Sequence, residues 1–183
     1  LTLMSETIGS PAGPSASVES VVRAYTNLVV LKSMSKVFGI AGLRLGYLLS
    51  ADREFVEAAR ARLPIWNVNG LGEAFLRSVG RYLGEFALSC ELVRQTSDAL
   101  YEQLRALPGL EPIKPDANFV FCKITAPGVG GRQLARELYI DHGILIKDCA
   151  SKSMPDADCY VRIASRTAAE NRRLVAALAN SGL

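Results

Sequence analysis

Runs of apolar residues in this chain change spacing several times, and the changes mark its elements. Residues 1–4 read as part of a strand, followed by a loop rich in Ser, Gly and Pro through residue 17. Residues 18–25 have helical spacing. Residues 27–32, Asn-Leu-Val-Val-Leu-Lys, form a short and nearly continuous apolar run. Such runs suit strands covered on both faces, which favours a parallel sheet. A second buried strand is predicted over 45–50, then a helix over 51–63 stopped by Pro64. Between 70 and 107 the residues Leu71, Phe75, Val79, Tyr82, Phe86, Val93, Leu100 and Leu104 keep helical spacing, with Gly80 and Gly84 as breaks. Two helices are expected there, the second about 35 Å long if it runs over 84–107.

After Pro108 and Gly109 the elements become short. Strands are predicted over 117–124, 144–147 and 158–164, and helices over 132–142 and 168–180. This is the pattern of a small α+β unit. The chain is therefore expected to be α/β, with one domain ending near residue 86 and a second over 87–183. No internal repeat is visible.

Composition narrows the function classes. The 183 residues are 49% hydrophobic and 21% charged, enough to bury a core, so a wholly disordered chain is excluded. The net charge of +3 is spread without a block of like charges, which argues against a nucleic-acid-binding tail. No apolar run approaches the roughly 20 residues that span a bilayer. Cys90, Cys122, Cys149 and Cys159 contain no C-x-x-C pair, and the single His142 has no partner at metal spacing, so neither a zinc site nor a disulfide scaffold is expected. The first 20 residues lack the features of a signal peptide, and a cytoplasmic location with reduced thiols is the expectation.

Residues 33–47, Ser-Met-Ser-Lys-Val-Phe-Gly-Ile-Ala-Gly-Leu-Arg-Leu-Gly-Tyr, lie between the two apolar runs. Glycines 39, 42 and 46 let the backbone come close to a ligand, the hydroxyls of Ser33 and Ser35 can donate to phosphate, and Arg44 can clamp it with two bonds. Lys36 at the end of a buried strand would be desolvated, and a neutral amine forms an imine with an aldehyde. Spacing alone leaves three readings open: a pyridoxal phosphate site, a plain phosphate or nucleotide loop, or a turn with solvated charges. The G-x-G-x-x-G and G-x-x-x-x-G-K-[ST] motifs are absent.

The stretch 27–47 resembles the cofactor-lysine segment of the class I and II aminotransferases, fold type I pyridoxal phosphate enzymes. Within them it is most similar to the histidinol-phosphate aminotransferase and threonine-phosphate decarboxylase group, on Trp66-Asn-Val-Asn69, Ala117-Asn-Phe-Val-Phe121, Gly143-Ile-Leu-Ile-Lys-Asp148 and Val161-Arg-Ile163. The resemblance implies the end of a large-domain sheet followed by a small α+β domain. It implies that Lys36 forms the aldimine with pyridoxal 5'-phosphate and moves the substrate proton. Ser33 and Arg44 would bind the cofactor phosphate; Ser35 is a weaker phosphate ligand or a turn cap. Arg162 would grip the substrate carboxylate or an equivalent anion, or else stand as a surface Arg on an edge strand. Asn118 contributes an amide to that group or is a turn residue. Lys147 stands where phosphate-substrate members usually carry Arg, which puts a phosphorylated substrate in question. Asn67 and Asn69 are expected to cap a helix, His142 to end one, and the cysteines to sit in the core, with Cys149 partly exposed.

The family places its phosphate turn, its ring-stacking aromatic and the Asp that pairs the pyridine nitrogen ahead of the lysine, so the chain is expected to be the C-terminal part of a longer enzyme. Aminotransferase of an amino acid or amino-phosphate is the leading reading. The alternatives are a decarboxylase of a phosphorylated amino acid and a non-catalytic sensor domain. A homodimer is implied, and the Ile-Trp-Asn-x-Asn tract leaves room for a nucleotidyltransferase fused upstream.

Overall fold

The computed structural model describes residues 18–183. The predicted strand over 1–4 and the loop through 17 lie outside the described residues. The chain divides into two compact units, residues 1–90 and 91–183.

In the first unit a 3-10 turn, Val18–Ala24, leads into strand β1, Val29–Ser33, and a four-residue helix α1, Met34–Val37. A further 3-10 turn, Ala41–Leu43, precedes strand β2, Gly46–Ser50. Helices α2, Arg53–Ala61, and α3, Gly70–Ser78, follow. The strands pair antiparallel, from Val29 opposite Ser50 to Ser33 opposite Gly46. This corrects the expected parallel pairing. Residues 34–45 reverse the chain within one loop, helped by left-handed backbone at Gly39, φ 66°, and Arg44, φ 56°, and their one α-helix, four residues long, is too short to carry the chain back along the sheet as a parallel crossover does. Burial on both faces is also not met among the described residues, since Val30 is buried but Leu31 is 79% exposed. A continuous apolar run reports apolar surroundings, not strand direction.

Local chemistry fixes the ends of these elements. A Cβ on Gly46 would lie 2.7 Å from the Lys32 carbonyl oxygen, so only glycine lets the strands close at this point. Asp52 caps α2 by accepting from the Phe55 amide at 3.0 Å. Asn69 caps α3 by accepting from the Gly72 amide at 2.9 Å, as expected of it. Phe38 packs edge-on against Phe75, 5.5 Å between centroids, and against Phe86 at 4.4 Å.

A 3-10 turn, Val79–Tyr82, interrupts the helical stretch close to the predicted break, and the long helix α4 runs over Leu83–Arg105. The second unit adds β3, Leu110–Ile113; β4, Phe119–Ile124; α5, Gly131–His142; β5, Lys147–Asp148; β6, Tyr160–Ala164; and α6, Ala168–Ala179. Its sheet has the order β3-β4-β6-β5, all antiparallel. Val120, Cys122, Ile124, Val161 and Ile163 pack against Leu100 and Leu104 of α4, Leu134 and Leu138 of α5, and Leu174 and Leu178 of α6. Alternate residues point to the other face, the period-2 consequence of a half-covered sheet.

Strand β3 was not predicted because Pro112 interrupts its pattern. Proline lacks a ladder donor and is confined to sheet edges, and β3 is such an edge. The strand predicted over 144–147 is shorter and later. Gly143, φ 62°, ends α5 with its amide donating to Tyr139, and the Ile144 amide donates to Leu138, so the helix cap uses the residues that would have opened the strand. His142 ends α5 as expected. Thr167 and Glu170 form a reciprocal capping box at α6. Cys122 and Cys149 are buried and Cys90 and Cys159 are partly exposed, which reverses the expectation for Cys149.

Candidate functional site

Ser33, Ser35, Lys36 and Arg44 come together in the loop between β1 and β2. Ser33 is the last residue of β1 and faces Gly46. The Met34 amide donates to the Leu45 carbonyl at 3.0 Å, which closes the loop at its neck and sets Ser33 and Arg44 on either side of it. Lys36 lies in α1 and is exposed, as are Ser33 and Arg44, while Ser35 is buried. Two expectations are corrected here: Lys36 does not sit at a strand end, and the described residues do not bury it. Arg44 donates from Nη1 to the Ala41 carbonyl at 3.1 Å, and its left-handed backbone turns the chain into β2. The Asn69 side-chain amide donates to the Leu43 carbonyl at 3.1 Å, so the residue that caps α3 also holds the segment before Arg44.

Glu19, to which the sequence pattern assigns no role, lies against the two strands that lead into and out of this loop. Its Oε1 accepts from the Tyr47 hydroxyl at 2.6 Å and is 3.4 Å from Lys32 Nζ, and its side chain is 6% exposed. Lys32 and Tyr47 are register partners. Burial first, then the hydrogen bond to Glu19 and its charge, push the Tyr47 hydroxyl above the ordinary phenol range. The sequence signal for Glu19 is weak, an acid beside Val18, Val21 and Val22 in a stretch that also carries Ser20 and Arg23.

The other predicted residues lie in the second unit, Arg162 and Lys147 on the sheet face opposite its helices and Asn118 just before β4. Arg162 is in β6, an interior strand, which corrects the expectation of a surface Arg on an edge strand. It stands opposite Phe121 on one side and Lys147 on the other. Its guanidinium lies 5.0 Å from the centre of the Phe119 ring, a cation–π distance. Phe121 stacks on Tyr160 at 5.1 Å, 8° from parallel. Lys147 Nζ is 3.6 Å from the Asp148 carboxylate. Asn118 is exposed and precedes β4, with its carbonyl accepting from the Ser165 amide at 2.9 Å. It is not in the row of Arg162 and Lys147.

The donor set of the loop, one primary amine with a serine hydroxyl and a guanidinium beside it, fits an aldehyde that carries a phosphate monoester. Among the described residues no three His, Cys, Asp or Glu side chains gather as a metal site needs, and no helix is long and apolar enough to cross a membrane.

The family model described as aminotransferase class I and II matches residues 7–178. The chain is 47% identical over 166 residues to CMP-5'-(3-aminopropyl)phosphonate synthase of Streptomyces rubellomurinus, covering 91% of this chain and 26% of that protein. It is 35% identical over 159 residues to L-serine phosphate decarboxylase of Sulfurospirillum multivorans, covering 84% of this chain and 39% of that one. The fold superposes on the histidinol-phosphate aminotransferase of Clostridium acetobutylicum with a TM-score of 0.81 and 25% identity, over 94% of this chain and 51% of that structure. The chain thus spans between about a quarter and a half of the relatives it matches.

Proposed function

The chain belongs to the class I and II aminotransferases, and on that premise we propose that it is the lysine-bearing part of a pyridoxal phosphate enzyme acting on the amine of an amino acid that carries a phosphate or phosphonate. The observation that carries this reading is the loop itself, where Ser33, Lys36 and Arg44 share one reversal between β1 and β2. Pyridoxal phosphate, when bound, supplies an aldehyde for amines and a ring that takes up the electron pair left by a bond broken at the substrate α-carbon. Arg44 and Ser33 hold its phosphate, the guanidinium by a two-bond fork. Lys36 anchors it covalently and, once displaced, carries the proton to and from the reacting carbon. Arg162 binds one anionic group of the substrate, and Lys147 a second as a point charge, with Asn118 able to add an amide.

Transamination and decarboxylation share these roles and differ in the bond broken. Similarity to a protein named L-serine phosphate decarboxylase, and to one whose named product bears an amine and no carboxylate, favours loss of the carboxylate. In the whole protein, a homodimer and a nucleotidyltransferase upstream of this region complete the reading, the latter supported by the CMP in the relative's name.

The test uses the full-length protein loaded with pyridoxal phosphate. Borohydride reduction and peptide mapping are expected to mark Lys36. Incubation with phosphono- and phospho-amino acids is expected to release carbon dioxide; amino transfer to 2-oxoglutarate without it would establish the aminotransferase reading instead. A mark on another lysine, or neither reaction, would reject the proposal.

A further inference from the structure

We propose that Glu19 is a positioning residue for the Ser33–Arg44 loop, an inference that rests on the pyridoxal phosphate reading above. The loop has one entrance and one exit. Lys32 immediately precedes Ser33 on β1, and Tyr47 follows Arg44 by three residues on β2. The two are register partners, and the same oxygen of Glu19 meets both, at 3.4 Å and 2.6 Å.

The Glu19 side chain is only 6% exposed. A buried carboxylate is costly unless it is paired and hydrogen-bonded, so its position is set by its partners, and theirs by it. An apolar side chain would fill the same space without specifying which residues of the two strands stand together. The charge and the directional hydrogen bond do specify it. Glu19 therefore fixes the spacing of the two strand ends, and with it the separation of Ser33 from Arg44, the two groups that must reach one phosphate. It touches neither cofactor nor substrate and acts through Lys32 and Tyr47.

The experiment compares Glu19→Gln, Tyr47→Phe and the double variant of the full-length protein by two readouts. One is the dissociation constant of pyridoxal phosphate, followed by cofactor absorbance. The other is amide hydrogen exchange over β1 and β2 in the apoprotein. Loss of one charge-assisted bond is expected to raise the dissociation constant roughly ten- to a hundredfold in Glu19→Gln. Tyr47→Phe should raise it less, and the double variant should not exceed Glu19→Gln, because both changes break one network. Exchange over β1 and β2 should quicken while α5 and α6 keep their protection. A dissociation constant within twofold of the parent, additive effects, or unchanged exchange would each overturn the proposal. If Glu19→Gln does not fold, Tyr47→Phe carries both readouts. If the parent binds no pyridoxal phosphate or is marked at a lysine other than Lys36, the underlying reading fails, and the exchange measurement still decides whether Glu19 holds the strand ends.

Discussion

Lys147 stands directly across the β5–β6 ladder from Arg162. Like charges at opposed positions of an antiparallel pair repel, at a cost of some tenths of a kcal/mol when exposed. The Asp148 carboxylate near Lys147 and the Phe119 ring beneath Arg162 offset part of it. A pair of cations held side by side suits an anion that bridges or sits between them. In the full-length protein, Lys147→Gln is expected to leave apoprotein stability equal or higher by up to about 0.5 kcal/mol, while KM for a phosphono-amino acid rises. Arg162→Ala is expected to lower kcat/KM by roughly tenfold or more. Denaturant unfolding and steady-state kinetics check both, and an unchanged KM in Lys147→Gln would remove it from the anion site.

Lys36 is exposed in a four-residue helix. Lys36→Ala should change apoprotein stability by no more than about 0.5 kcal/mol, as for other surface substitutions, and lower turnover by roughly 10³-fold or more. The borohydride mark should vanish from the peptide containing residue 36. Stability measured on the apoprotein and turnover on the loaded enzyme separate the two effects.

Asn69 serves two elements at once, with its oxygen on the Gly72 amide and its nitrogen on the Leu43 carbonyl. Asn69→Ala is expected to destabilise by about 1–2 kcal/mol from the lost cap, and to weaken cofactor binding because Leu43 adjoins Arg44. Asn69→Asp should keep the cap and lose the bond to Leu43. A dissociation constant for pyridoxal phosphate that rises in Asn69→Asp without loss of α3 stability would separate the roles.

Burial pushes the Cys122 thiol up to about 12. At pH 8 iodoacetamide should therefore modify Cys159 before Cys122, and reach Cys122 only on unfolding. Below about pH 8.5 the thiol is protonated in both states. Above that, the unfolded chain releases the proton more readily than the folded one, so this contribution to stability falls as pH rises toward 12. Mass mapping of the alkylated protein and unfolding curves across that range measure both.

The amino-acid pattern by itself determined the order of the longer helices and most strands, because apolar periodicity and caps such as Asn69 before α3 are local signals within one or two turns. It also placed Ser33, Lys36 and Arg44 in one segment between two strands, because they stand close in the chain, while the helical setting and exposure of Lys36 came from the fold. Tertiary structure decided what depends on pairing. The antiparallel direction of β1 and β2, the edge strand β3 with Pro112, and the meeting of Lys147 with Arg162 arise from strand register, and a strand's sequence records its own faces but not its neighbour. The same holds for Glu19. An acid 28 residues from its tyrosine reads as a solvated charge until folding buries it against β1 and β2, where the Tyr47 hydrogen bond and the Lys32 ion pair help offset the loss of water.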